Sequence, residues 1–146
     1  MTMIEEAHVA LAAKGAAELD LAKLALCPPW RHAAFAAVVA ALVATQAVPI
    51  PARFVLLVLV YASIAAIYLT DRRRLGVFIN GFRRGKTRTV TFTLLLVVFA
   101  LGAAIVYFGD QPGQRLICLG LAAVAFMAAY RGSMIWQQVF RRELGA

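Results

Sequence analysis

Stretches 33–52, 54–70, 89–109 and 116–130 carry no Asp, Glu, Lys or Arg. They run to about 20, 17, 21 and 15 residues, against the roughly 20 that the hydrocarbon core of a bilayer asks of a helix. The last is short, but Arg115 and Arg131 stand at its ends and can reach outward along their aliphatic stems. The pattern predicts transmembrane helices over 33–50, 54–70, 89–109 and 115–131. Between the first two, Pro49-Ile50-Pro51-Ala52-Arg53 reads as a tight turn; between the last two, Gly109-Asp110-Gln111-Pro112-Gly113 does the same. Connections this short make the four spans two antiparallel hairpins.

Outside the spans the pattern changes to one-sided helices. In segment 1–29, Ile4, His8, Leu11, Gly15, Leu19, Ala22 and Leu26 recur at spacings of three and four, which places them on one face. Pro28-Pro29 ends that helix. Its apolar stripe needs a cover: the membrane surface, the protein's own flank, or a partner helix. Glu5, Glu6, Glu18 and Asp20 outnumber Lys14 and Lys23, which favours protein contact over lipid. In the tail, 132–146, Ile135, Trp136, Val139, Phe140 and Leu144 share one side, and Gln137, Gln138, Arg141 and Arg142 the other. It either continues the fourth helix or bends along the membrane, and a partner-docking helix has the same pattern. Ile4, Leu11, Leu19, Leu26, Ile135, Trp136, Val139 and Phe140 are the candidate partner contacts. In the central loop, 71–88, Leu75, Phe78, Ile79 and Phe82 form a short apolar face flanked by arginines, the pattern of a basic element lying in a lipid leaflet.

Charge adds orientation. Thirteen of the fifteen Lys and Arg residues fall in the N-terminal segment, the central loop and the tail; only Arg53 and Arg115 lie in the other two connections. Positive loops stay in the cytoplasm, so both termini and the loop 71–88 are expected there. Trp30, Arg31 and His32 suit the interface on that side. The loop holds Arg72, Arg73, Arg74, Arg83, Arg84, Lys86 and Arg88, candidate contacts for anionic lipid headgroups at ~1 kcal/mol per cation near the surface. The net charge of +8 is thereby a topology signal, not a sign of nucleic-acid binding. Composition agrees: 63% apolar and 15% charged, where soluble domains have about half and a quarter. The expected fold is an all-α integral membrane protein of one domain. It comprises four transmembrane helices, an N-terminal cytoplasmic amphipathic helix and a C-terminal interfacial helix. Abundant alanine suggests a bacterial source and so the bacterial inner membrane.

Candidate chemistry is sparse. Apart from Arg115 and Arg131 at the very ends of the fourth, no Asp, Glu, Lys or Arg lies inside a span, whereas proton relays and coupled transport use intramembrane ionisable groups. His8 and His32 lie outside the spans, which excludes haem ligation from within them, and no metal cluster, paired carboxylates or Ser-His-Asp set assembles. The run Gly81-Phe-Arg-Arg-Gly85-Lys86-Thr87 imitates a phosphate-binding loop, but Asn80 stands where its first glycine belongs and no strand precedes it. Cys27 and Cys118 belong to opposite ends and do not pair. Small residues, by contrast, recur: Ala33, Ala37, Ala41 and Ala44 on one side of the first span, with Ala36, Ala40 and Ala47 beside them, and Gly120, Ala122, Ala123, Ala125, Ala128 and Ala129 in the fourth. Such faces let helices approach closely. The expectation is a non-enzymatic accessory, assembly or regulatory subunit of a larger inner-membrane complex, without cofactor. Its partners would be membrane lipids and other subunits or copies of itself. Two alternatives stand behind it: a homo-oligomeric channel lined by Gln46, Tyr61, Ser63, Thr91 and Thr93, and a protein that handles anionic lipids or lipid-linked sugars through the central arginines.

Overall fold

The computed structural model describes residues 3–24, 26–75, 85–109 and 113–144. Five α-helices follow in order: α1 (Met3–Leu24), α2 (Pro29–Ala44), α3 (Ile50–Leu75), α4 (Lys86–Gly109) and α5 (Arg115–Glu143), with a 3-10 turn over Thr45–Ala47 closing α2. No strand occurs among the described residues. Three helices, α3, α4 and α5, are long and apolar enough to cross a membrane. α2 has 16 residues; with its 3-10 turn it rises about 30 Å.

The prolines set the boundaries at the N-terminal side. Pro28 is extended (φ −67°, ψ 154°) and Pro29 opens α2, where a missing N–H costs nothing because the first turn has no intrahelical acceptor for it. At the far end of α2 the Thr45 hydroxyl donates to the Leu42 carbonyl at 2.6 Å, and Val48 turns extended (φ −100°, ψ 140°), the conformation that a following proline imposes. The connection to α3 is shorter than the sequence pattern suggests. The Pro49 carbonyl already accepts the Arg53 N–H at 2.9 Å, so Ile50 and Pro51 belong to the first turn of α3, and the turn itself is Val48-Pro49.

Every apolar helix outruns its charge-free stretch. α3 continues through Asp71, Arg72, Arg73 and Arg74, α4 begins at Lys86, and α5 passes Arg131 without a break to Glu143. The tail therefore extends α5 and does not bend away from it. Arg and Lys are good helix formers, and nothing in those segments stops the helix.

α5 is the centre of the packing. α2 and α4 lie along it, while α3 leans on α2 and its 3-10 turn. The main core joins Val43 of α2, Ile105 of α4, and Cys118 and Ala125 of α5, with Ala47, Val98, Leu101, Phe108 and Leu121 around them. The small residues matter as expected, but on a neighbouring face. On α2 the buried line is His32, Ala36 and Val43, with Ala37 and Ala41 exposed; on α5 it is Cys118, Ala125 and Ala129, with Gly120 and Ala123 exposed. Gly109 marks another close approach: a Cβ there would come within 3.3 Å of the Ala47 Cα.

Candidate functional site at the basic end of the helices

The polar contacts between helices gather at the end where α2 begins and α3 and α5 finish. The Arg31 guanidinium of α2 grips the Asp71 carboxylate of α3 through Nη2 at 2.5 Å and Nε at 3.1 Å. Both side chains are about four-fifths buried, at 21% and 20% exposure. Arg31 also lies over the Phe35 ring, 5.9 Å from its centroid. One residue on, His32 is buried at 6% exposure, with Nδ1 2.8 Å from the Ser133 hydroxyl of α5 and its ring edge-on to Tyr130. Tyr130 in turn stacks on Phe126.

The α4–α5 pair has its own clasp. The Glu143 carboxylate, at the last turn of α5, accepts the Lys86 backbone N–H and lies 3.5 Å from the Thr87 hydroxyl. A carboxylate at a helix N-terminus satisfies an N–H that has no intrahelical acceptor and complements the positive end of the dipole. Gly85 makes room for it: its φ is +143°, and a Cβ there would meet both Glu143 oxygens at 2.6 Å.

Beside these contacts is a cavity of about 280 Å³, lined by Cys27, Pro29, His32, Tyr130, Met134, Gln137, Gln138 and Arg141. Burial pushes the Cys27 thiol above its ordinary pKa; Arg31 and Arg74 oppose that shift and Asp71 adds to it. The thiol is thus held protonated near neutrality and is a poor nucleophile. The His32–Ser133 pair resembles a base beside a hydroxyl, but among the described residues no carboxylate hydrogen-bonds the ring, and Ser133 does not line the cavity. It joins α2 to α5. Among the described residues no group of His, Cys, Asp and Glu is arranged to hold a metal.

At the opposite end, Arg53 donates to the carbonyls of Val48 (3.1 Å) and Gln46 (2.8 Å), closing the C-terminal end of α2. A second cavity of about 380 Å³ opens there, lined by Gln46, Ala47, Val48, Pro49, Ile50, Arg53, Val106 and Gly109.

The residues singled out from sequence are dispersed. Ile4, Leu11, Leu19 and Leu26 are all exposed, Ile4 at 71%. Among the described residues the buried contact of α1 is in its last turn, where Ala22 meets Phe140 and Leu144 with Leu21 and Trp136 around them. Trp136 stacks on Phe140 at 5.1 Å. Phe140 is therefore occupied within the chain, Val139 is half-buried, and Ile135 is exposed. Arg72, Arg73, Arg74, Lys86 and Arg88 are exposed at the ends of α3 and α4, with Arg88 over the Phe92 ring. Arg83 and Arg84, the apolar face Phe78, Ile79 and Phe82 with the Leu75 side chain, the imitation phosphate loop up to Arg84, and Asp110 lie outside the described residues. Of the candidate pore groups, the Ser63 and Thr91 hydroxyls donate to carbonyls of their own helices, at 2.8 and 3.1 Å. Gln46 lines the far cavity, and Tyr61 and Thr93 are exposed on α3 and α4.

Asp71, Glu143 and the His32–Ser133 pair escape sequence reasoning. The available signal is that few acids occur outside α1, so each one set among cations needs a partner. No protein family, curated protein or solved structure matches this chain.

Proposed function

We propose that this chain is a non-enzymatic accessory, assembly or regulatory subunit of a larger bacterial inner-membrane complex. It crosses the membrane four times, with both termini in the cytoplasm. The fourth crossing is α2, which matches the hydrocarbon thickness once its 3-10 turn is included. Two contacts support the hairpin arrangement: Arg31 at the start of α2 holds Asp71 at the end of α3, and Lys86 at the start of α4 meets Glu143 at the end of α5. They set the start of α2 beside the end of α3 and the start of α4 beside the end of α5, as two hairpins require.

The observation that carries the subunit reading is α1. Over its 22 residues Ile4, Leu11 and Leu19 of the apolar stripe are exposed, and among the described residues its buried contact is in the last turn. Its acids, twice its bases in number, disfavour an anionic leaflet, so a protein surface is the better cover. Affinity purification of the tagged chain in mild detergent tests this. A co-purifying membrane protein is expected, lost when Ile4, Leu11 and Leu19 are changed together to Ser. Recovery of the chain alone under every solubilisation condition overturns the reading.

A further inference from the structure

The cavity between the start of α2 and the last turns of α5 has two characters. Pro29, Tyr130 and Met134 give it apolar lining; His32, Gln137, Gln138 and Arg141 bring nitrogen atoms, and no carboxylate is among its lining residues. Arg141 matters most. Its Nε–H is shut off from solvent and meets no acceptor among the described residues, although a buried donor of this kind costs free energy until something accepts its hydrogen. The guanidinium forms no ion pair among the described residues. The neighbouring charges compound this. Arg31 and Asp71 cancel one another, while Arg74 stands close enough to act on the Cys27 thiol at the same cavity. The local balance is positive, which favours an anion in the cavity.

We propose that this cavity is a binding site for the phosphate of a mono- or diester. A tetrahedral oxyanion offers several acceptors at once to an arginine, two amides and an imidazole. The volume, near the lower limit for ligand pockets, suits a headgroup-sized species and not a whole lipid. The apolar lining residues suit the carbon atoms next to an esterified phosphate, as in basic pockets between membrane helices that take anionic headgroups. This inference is independent of the subunit reading and of the arginines in the central loop beyond Arg74.

The test uses the full chain in neutral detergent, with short-chain phosphatidylglycerol, soluble glycerol phosphate and uncharged short-chain diacylglycerol as probes, and binding read by native mass spectrometry and calorimetric titration. At least one phosphate probe binds and the uncharged probe does not. Preference for phosphatidylglycerol identifies a lipid source; equal binding of glycerol phosphate identifies a soluble one. Arg141→Gln weakens binding about tenfold or more, while Arg131→Gln, an equal charge change at an exposed site of the same helix, leaves it within about twofold. Met134→Trp fills the cavity with no change of charge and also removes binding, which keeps the test decisive if Arg141→Gln misfolds. The proposal is overturned if neither phosphate probe exceeds the uncharged one, if both arginine variants weaken binding alike, or if Met134→Trp binds as well as the parent.

Discussion

Removing the charge of Asp71 should loosen α3 more than any other helix. Asp71→Asn keeps the side-chain shape and leaves Arg31 four-fifths buried without its counter-ion. An exposed pair would be worth at most about 1 kcal/mol, and breaking a fully buried one costs about 3–5 kcal/mol. The Arg31–Asp71 geometry, two guanidinium nitrogens within 3.1 Å of one carboxylate oxygen, falls between these limits, and about 2 kcal/mol is the expected loss. α3 makes its main contacts among the described residues with α2 and its 3-10 turn, and in lipid the hydrophobic effect does not press helices together. The loss therefore falls on one helix. Hydrogen exchange in detergent should accelerate in the last turns of α3 by roughly 30-fold, with α4 and α5 little changed. A double-mutant cycle with Arg31→Gln should return a coupling energy of about 1.5 kcal/mol. Coupling below about 0.5 kcal/mol, or an effect no larger than that of Arg73→Gln at an exposed neighbouring position, would refute the argument.

Two further predictions concern the same end. Gly85→Ala combines a positive φ with a Cβ placed against the Glu143 carboxylate, so it should destabilise the α4–α5 pair by about 1–3 kcal/mol in detergent unfolding. Glu143→Gln should cost about 1 kcal/mol or less, because the contact is exposed; a larger loss than for Gly85→Ala would contradict the assignment. Cys27, its thiol pKa raised by burial, should be alkylated slowly at neutral pH and faster only well into the alkaline range. Arg74 opposes that shift, so Arg74→Gln should slow the reaction further at fixed pH. Iodoacetamide rates followed by mass spectrometry check both, and a Cys27 as reactive as a free model thiol would contradict them.

The apolar runs of α3, α4 and α5 and the break at Pro28-Pro29 are legible in sequence because hydropathy and proline act locally, whereas the stripe of α1, expected to be covered, is exposed at Ile4, Leu11 and Leu19. Helix ends are less so. Charge marks where a helix leaves lipid, not where it stops, and α3 and α5 carry Arg72 and Arg141 as readily as leucine. The choice among alanine faces is also hidden. Ala36 and Ala37 are chemically alike, and only the tertiary placement of the neighbouring helices decides which one is buried. The contacts of Asp71 and Glu143 depend on tertiary placement, which spacing along the chain does not encode.

α5 is unbroken over 29 residues, a rod of about 44 Å. Tilting it by about 5° at the Phe140 end would swing the Cys118 end, about 33 Å away, through about 3 Å and carry the helices seated on either flank with it. A load applied to Ala22 and the rest of the docked turn of α1 thus has a mechanical route to the opposite side of the molecule, with α5 as the lever.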